Sequence, residues 1–427
     1  MDMLYGPQTR LAIENFPISR MRLQRPFIRA LALIKSCAAK VNGEPRIARA
    51  AEEVSEGKYD DQFVVDVFQT GSGTSANMNM NEVIGRLAGA HPNDDVNRGM
   101  SSNDAIPSAM HIAAAQCVVD ELLPAMRELR NELDRKTLEF SDVIKTGRTH
   151  LQDAVPMTLG QEFSGYVRQV ELAESRIGAA LAGIYELPLG GTAVGTGLNA
   201  PDGFAAAVIA EIAQRTGLPF REAGNHFEAQ AAKDAAVFLS AALRNYAVAL
   251  TKIANDIRWL GSGPRCGLGE LKIPELQPGS SIMPGKVNPV IAESVLMVCA
   301  QVIGYDAAIA WCGAAGNLEL NVMMPVMAYD LIESIELLAA ASRNFARRLV
   351  AGLEADRERT AALVEQSLAM GTALAPAIGY DRAAGLVKEA YRTGRTVRDV
   401  ALEKSGIPAD KIAQLLNPAR QAKATKY

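Results

Sequence analysis

Apolar residues return at helical intervals through most of the chain. Leu122, Met126, Leu129 and Leu133 are spaced four, three and four apart, which puts them on one face of a helix. That pattern predicts a single long helix over 105–144, with Asn103 and Asp104 as cap candidates and Pro107 in the first turn, where a missing amide removes no hydrogen bond. Over 161–185 the seam continues as Phe163, Val167, Val170, Ile177, Leu181 and Ile184, with Glu174 at the heptad position that breaks it. A third helix is expected over about 227–260, roughly 50 Å long at about 1.5 Å per residue. Others follow at 289–310 and 327–351. The region before Gly99 is mixed in pattern, and after GLEADRER (352–359) the helices shorten around a Gly-Tyr-Asp turn at 379–381. Domain limits are therefore expected at 1–99, 100–357 and 358–427, the middle segment being a bundle of long helices. Any single seam is explained by packing within one chain. Several very long ones leave more apolar surface than one bundle covers, and identical neighbours are the simplest cover.

Composition narrows the function classes. With 44 Lys plus Arg against 48 Asp plus Glu, the net charge of -4 gives no general attraction for nucleic acid or an anionic membrane. Any anion must be held locally. Cys37, Cys117, Cys266, Cys299 and Cys312 are odd in number and never form CxxC, a pattern of free thiols in a reducing compartment. The four histidines (His91, His111, His150, His226) form no HxxxH pair, so neither residue type has the spacing of a metal site, and no cofactor is expected. The opening MDMLYGPQTRLAIENF is too polar for a signal peptide, and charges interrupt the later apolar stretches, so a soluble cytoplasmic protein is expected.

Four loops crowd polar residues at the starts of expected helices, where free amides and the helix dipole favour anions: 70–77, 91–104, 147–153 and GSSIMPGKVNP at 279–289. The last looks at first like a phosphate-binding loop. Five residues rather than four separate Gly279 from Gly285, however, Val287 stands where a hydroxyl should reach Mg²⁺, and Pro284 removes an amide. FVVDVFQT before Gly71 and Gly73 resembles a strand entering a dinucleotide turn, but no βαβ succession follows and Asp94 ends no apolar strand. Singly, His150 reads as a structural histidine and 101–103 as helix caps. Collected in one chain, hydroxyls, amides, Lys286, His150 and the acid Glu293 can bind a small dianion and move protons on it.

GSSIMPGKVNP is similar to the signature of the fumarase/aspartase superfamily. Together with TGSGTSANMNMNEV, HPNDDVN, SSND, GRTHLQD, LGGTAVGTGLN, IANDIRWLGSGPRCG and GNLELNV it makes the chain resemble the class II fumarases over nearly its full length. The resemblance implies a mainly α, three-domain fold with a central long-helix bundle. It also implies a homotetramer whose active sites are each shared between three subunits, and reversible hydration of fumarate to L-malate in the tricarboxylic acid cycle. Carried over residue by residue, Ser280 is the base and Lys286 and Asn288 hold the carboxylate that gains charge. Ser72, Gly73, Thr74, Ser101, Ser102, Asn103, Thr149, Ser281 and Val287 complete the substrate site, and His150 with Glu293 serves the departing water. Gly279 and Gly285 are read as hinges of a lid. His150, Ser102 and Gly285 side with fumarase where aspartase typically has Gln, Thr and Ala; an aspartate ammonia-lyase and a silent scaffold are the alternatives. Two departures stand out: the segment between Glu82 and His91 is about a dozen residues shorter than in the family, losing basic residues that accompany His91, Asn93 and Asp94 in a second dicarboxylate site, and Tyr5 stands where tryptophan is usual.

Overall fold

A computed structural model describes residues 3–423. In chain order the described residues form α1 (Pro7–Asn15), α2 (Arg25–Val41), α3 (Pro45–Ser55), α4 (Thr74–Ala88), α5 (Ser102–Cys117), α6 (Leu123–Glu139), α7 (Leu159–Ile184), α8 (Phe204–Thr216), α9 (His226–Ala231), α10 (Asp234–Leu260), α11 (Val290–Gly313) and α12 (Met324–Arg348), followed by shorter helices between Arg357 and Gln421. The longest strand pair is an antiparallel hairpin, β1 (Ile144–Thr149) with β2 (Gln152–Thr158). The fold is mainly α, as the periodicity predicts.

Several helix limits differ from the expected ones for local reasons. Ser101, not Asn103, caps α5: its Oγ accepts the Asn103 amide at 3.2 Å while Asp104 Oδ1 accepts the Ser101 amide at 2.8 Å, a reciprocal capping box. Pro107 consequently lies inside the helix, where it cannot bond the Asn103 carbonyl. The expected 105–144 helix is interrupted by a π-turn at Val118–Leu122, ends at Glu139 and gives way to β1. The expected 227–260 helix breaks before Asp234. There the buried Lys233 ammonium donates to the carbonyls of Ala229, Gln230 and Ala232 at 2.8–2.9 Å, closing α9, and burial lowers its pKa to about 8. The 27 residues of α10 then span ~40 Å. Along α7 the buried face runs through Leu159, Phe163, Tyr166, Val170, Ala173, Ile177, Ala180 and Ile184, with Leu181 buried beside it. That is an unbroken alternation of three and four; the seam passes through Ala173, so Glu174 and the half-buried Val167 flank it.

The chain divides into two compact units, and each boundary falls inside one of α6, α7, α10, α11 and α12. The first unit comprises Met1–Met126, Leu172–Ala249 and Met297–Ala341. Within it α2 packs on α3, α5 and α8, burying Phe27, Leu31 and Ile34 with Ile47, Ala51, Met110 and Ile212. The second comprises Arg127–Glu171, Leu250–Leu296 and Ser342–Tyr427. Its core includes Leu129, Leu133, Phe163 and Val170, with Phe140 edge-on to Phe163 at 5.3 Å, and a further cluster of Leu374, Leu386, Val400 and Leu416. Full burial of each such side chain contributes about 1.5–3 kcal/mol relative to exposure.

By length and hydropathy α11 is apolar enough to cross a membrane, and a bent pair of helices between Arg357 and Ile378 passes the same test. The charges at Glu293 and Asp306 are too far apart to prevent this. Asp306 is buried and accepts Ser240 Oγ and Arg244 Nη1 at 2.7 Å, contacts of a helix packed in protein.

His111 of α5 is buried, with Nδ1 2.8 Å from the Glu186 carbonyl, so this nitrogen carries the proton of a neutral ring. Burial lowers its pKa to about 4 against the carbonyl's opposing effect. Above pH 6.5 neither state is protonated. As pH falls from 6.5 toward 4 only the unfolded chain gains the proton, and stability drops by up to about 3 kcal/mol. Urea titrations of His111→Asn across that window are expected to show a shallower loss than the parent; equal slopes would disprove the assignment.

Candidate active site

The first unit carries a chain of hydroxyls. Ser72 lies in the turn that enters α4 and Thr74 is the first residue of that helix, with Gly73 as the cap between them. Ser72 Oγ is 2.7 Å from Thr74 Oγ1, which is 2.7 Å from Ser102 Oγ at the start of α5. Ser72 and Ser102 are buried and Thr74 is half-buried, so two separate loops supply one polar cluster at two helix N-termini. Ser101 and Asn103 flank Ser102. The Asn103 side-chain amide donates to the Ala193 carbonyl at 2.8 Å, which leaves its oxygen free of that contact. Such a set offers hydroxyls and dipoles to a carboxylate without presenting a fixed charge.

In the second unit Thr149 ends β1, and His150 and Leu151 form the two-residue turn to β2. Both turn residues are left-handed, with φ of 56° and 58°. Two-residue hairpin turns of this kind favour Asn-Gly, and a leucine there is costly. The imidazole is exposed at the tip. Behind it the hairpin is pinned by a buried ionic cluster: Lys145 lies 2.9 Å from Glu162 and 3.5 Å from Glu270, and Arg148 lies 3.0 Å from Glu270, whose side chain is fully buried.

The 279–289 loop folds on itself. The Gly279 amide donates to the Lys286 carbonyl at 2.9 Å and Asn288 Nδ2 donates to the Gly279 carbonyl at 2.6 Å. Ser280 Oγ accepts the amides of Ile282 at 3.2 Å and Met283 at 3.0 Å. Amides that a phosphate loop would aim at a ligand are aimed here at a serine oxygen. The glycines have packing reasons beyond motion: a Cβ at 279 would fall 2.2 Å from the Lys286 carbonyl oxygen, and Gly285 is left-handed at φ 77°. Lys286, Val287, Asn288 and Glu293 line one wall of a cavity of about 800 Å³ shared with Arg258, Lys272 and Arg359. Ser281 to Val287 are exposed.

Residues 1–304 match the family described as Lyase, and residues 371–421 match the Fumarase C C-terminus. A class II fumarate hydratase of Mycobacterium tuberculosis is 53% identical over 425 residues, 96% of this chain and 90% of that protein. The class II enzyme of Ralstonia nicotianae is 50% identical over 98% of this chain and 95% of its own. A crystal structure of class II fumarase from Schistosoma mansoni superposes with a TM-score of 0.96 at 39% identity, covering 99% of this chain and 96% of that one. The chain belongs to the class II fumarate hydratase family.

The residues expected to form the site fall into three groups along the described chain: the hydroxyls of 72–74 and 101–103, the Thr149–His150 hairpin, and the 280–293 segment. Among the described residues no hydrogen bond or ion pair joins His150 to Glu293. His91, Asn93 and Asp94 are exposed; His91 Nδ1 accepts the Asp94 amide at 3.1 Å, a local bond that occupies this nitrogen. Lys35, and Asn97 at the end of HPNDDVN, carry no role in the sequence pattern. Lys35 is fully buried, donates to Asn97 Oδ1 at 2.8 Å, and has its pKa lowered to about 7 by burial. A lysine in the apolar run of α2 was the available signal.

Proposed function

We infer that this chain catalyses the reversible anti addition of water to fumarate, giving L-malate, through a carbanion whose charge sits on the neighbouring carboxylate. The pair of amides at Ser280 Oγ carries this reading. A serine hydroxyl is a very weak acid, and two N–H groups on its oxygen favour the alkoxide needed to take a proton from the carbon beside a carboxylate. In the malate-to-fumarate direction Ser280 accepts that proton and the electron pair delocalises into the carboxylate. Lys286, with the N–H of Asn288 not committed to Gly279, holds the resulting aci-carboxylate. Hydroxide leaves from the adjacent carbon and takes a proton on the His150 side, with Glu293 fixing the imidazole tautomer. The hydroxyls of Ser72, Thr74, Ser101, Ser102 and Thr149, with Asn103, Ser281 and the backbone of Gly73 and Val287, bind the dianion.

His150 and Glu293 are proposed to meet across subunits of a homotetramer in which three subunits complete each site. Exposed apolar side chains on the long helices support assembly, among them Phe238 and Val248 on α10 and Met297 and Trp311 on α11, the last two 68% and 74% exposed. Light scattering on an active sample is expected to give the tetramer mass; a monomer with full activity would overturn it. The three-domain division at 99/100 and 357/358 and a cytoplasmic location complete the proposal, and the second dicarboxylate site is proposed to bind weakly because His91 and Asp94 pair locally on a shortened segment.

Fumarate release followed by ultraviolet absorbance tests the function. Turnover is expected with L-malate and not with aspartate, and is expected to survive EDTA, since among the described residues no three His, Cys, Asp or Glu cluster as metal ligands. Aspartate turnover, or loss of activity restored by a divalent ion, would replace the mechanism.

A further inference from the structure

LGGTAVGTGLN, at 189–199, has no part in the chemistry above, yet the structure ties it to the turn that presents Ser101, Ser102 and Asn103. Asp104 makes the tie. An acid at the third position of a capped helix ordinarily returns one oxygen to the cap amide and leaves the other in water. Here Oδ1 accepts the Ser101 amide at 2.8 Å, while Oδ2 accepts the amides of both Gly190 and Thr192 at 3.0 Å, and the carboxyl group is fully buried. Two further bonds hold the same loop: Asn103 Nδ2 to the Ala193 carbonyl at 2.8 Å and Gln230 Nε2 to the Thr192 carbonyl at 2.9 Å.

Thr192 shows what these bonds are for. Its φ is 55°, a left-handed conformation that a β-branched residue adopts only when its surroundings over-determine it. Asp104 fixes its amide and Gln230 its carbonyl. The buried ammonium of Lys35 attracts the Asp104 carboxylate and is anchored on Asn97 Oδ1. Burial outweighs these contacts in the acid's own equilibrium and raises its pKa to about 6. A group held at that cost purely as a helix cap has no need of a second loop.

We propose that Asp104 is a positioning residue for substrate: its carboxylate locks the Ser101–Asn103 turn to the 190–193 backbone, with Lys35 as the buried counter-charge, so that the hydroxyl cluster is pre-formed for a dicarboxylate. The proposal rests on the fumarate hydratase reading of that cluster. Asparagine cannot replace the acid, because one carbonyl oxygen serves at most one side of the lock and its NH₂ faces backbone donors on the other.

The test compares parent, Asp104→Asn, Lys35→Met and the double variant by melting temperature, kcat and KM for L-malate, with hydrogen exchange of the segments around 99–104 and 188–197. Asp104→Asn is expected to raise KM at least about 10-fold, to change kcat by less than about 3-fold, and to accelerate exchange in both segments. Removing both charges is expected to recover much of the melting temperature lost in Lys35→Met, since no buried charge is then left unpaired, but not the part that Asp104→Asn loses with its amide bonds. KM should stay raised in the double variant. A double variant whose KM returns to the parent value would make Asp104 a stability element only and overturn the proposal. An unchanged KM in Asp104→Asn, or rapid exchange of the 188–197 amides in the parent, would do the same. A parent that never turns over malate would instead remove the functional reading on which the KM argument stands, and the exchange data alone would then decide whether the lock exists.

Discussion

Replacing Ser280 by alanine is expected to lower kcat for malate at least about 10²-fold, the range for losing a positioned proton-transfer group, with KM little changed. The serine donates no side-chain hydrogen bond to another described residue; its oxygen only receives the Ile282 and Met283 amides, and both of those residues are exposed, so water can take its place. Fold and assembly should therefore survive, and circular dichroism with light scattering on the variant would establish that the loss is chemical. Near-normal turnover by Ser280→Ala would leave the serine as a turn residue and move the base elsewhere.

Lys286→Ala is expected to fail in a different way. In the proposed mechanism its ammonium meets the carboxylate in the ground state and more strongly once the proton has left, so KM should rise and kcat should fall by about 10²–10³ together. The side chain is exposed on the wall of the large cavity, so its removal leaves no buried group unpaired. Steady-state kinetics in malate for the two alanine variants separate a proton acceptor from a charge that binds throughout. A Lys286 variant with raised KM and parental kcat would reduce the lysine to a substrate anchor.

Sequence periodicity revealed the long helices because their seams recur over many turns, and α7 shows this most clearly in its unbroken three-four alternation. It was blind to interruptions that rest on single contacts. The break between α9 and α10 depends on Lys233 reaching three carbonyls, and lysine is a good helix former, so nothing in the local pattern announces it. The β1–β2 hairpin was invisible as strand because Gly147 and a register irregularity interrupt β1 and because its turn is His-Leu, with a leucine where glycine is preferred. At the site, residue types were legible and partners were not. Ser280, Lys286 and Asn288 are adjacent in one motif, but that the serine oxygen faces two amides, and that Asn288 spends one N–H on Gly279, are facts of loop geometry. Asp104 reads as a cap from sequence; its second oxygen bonds amides 86 and 88 residues away, a distance no pattern spans.

The left-handed pair His150–Leu151 also bears on how this protein can be engineered. A survey for stabilising substitutions would select Leu151→Gly first, since glycine accepts that conformation freely and the leucine is exposed at the hairpin tip. The same change would loosen the backbone that carries the exposed His150, which is now held in a turn with few alternative conformations. Thermal robustness and a restricted backbone at His150 are thus drawn from one turn, and a gain in the first is a loss in the second.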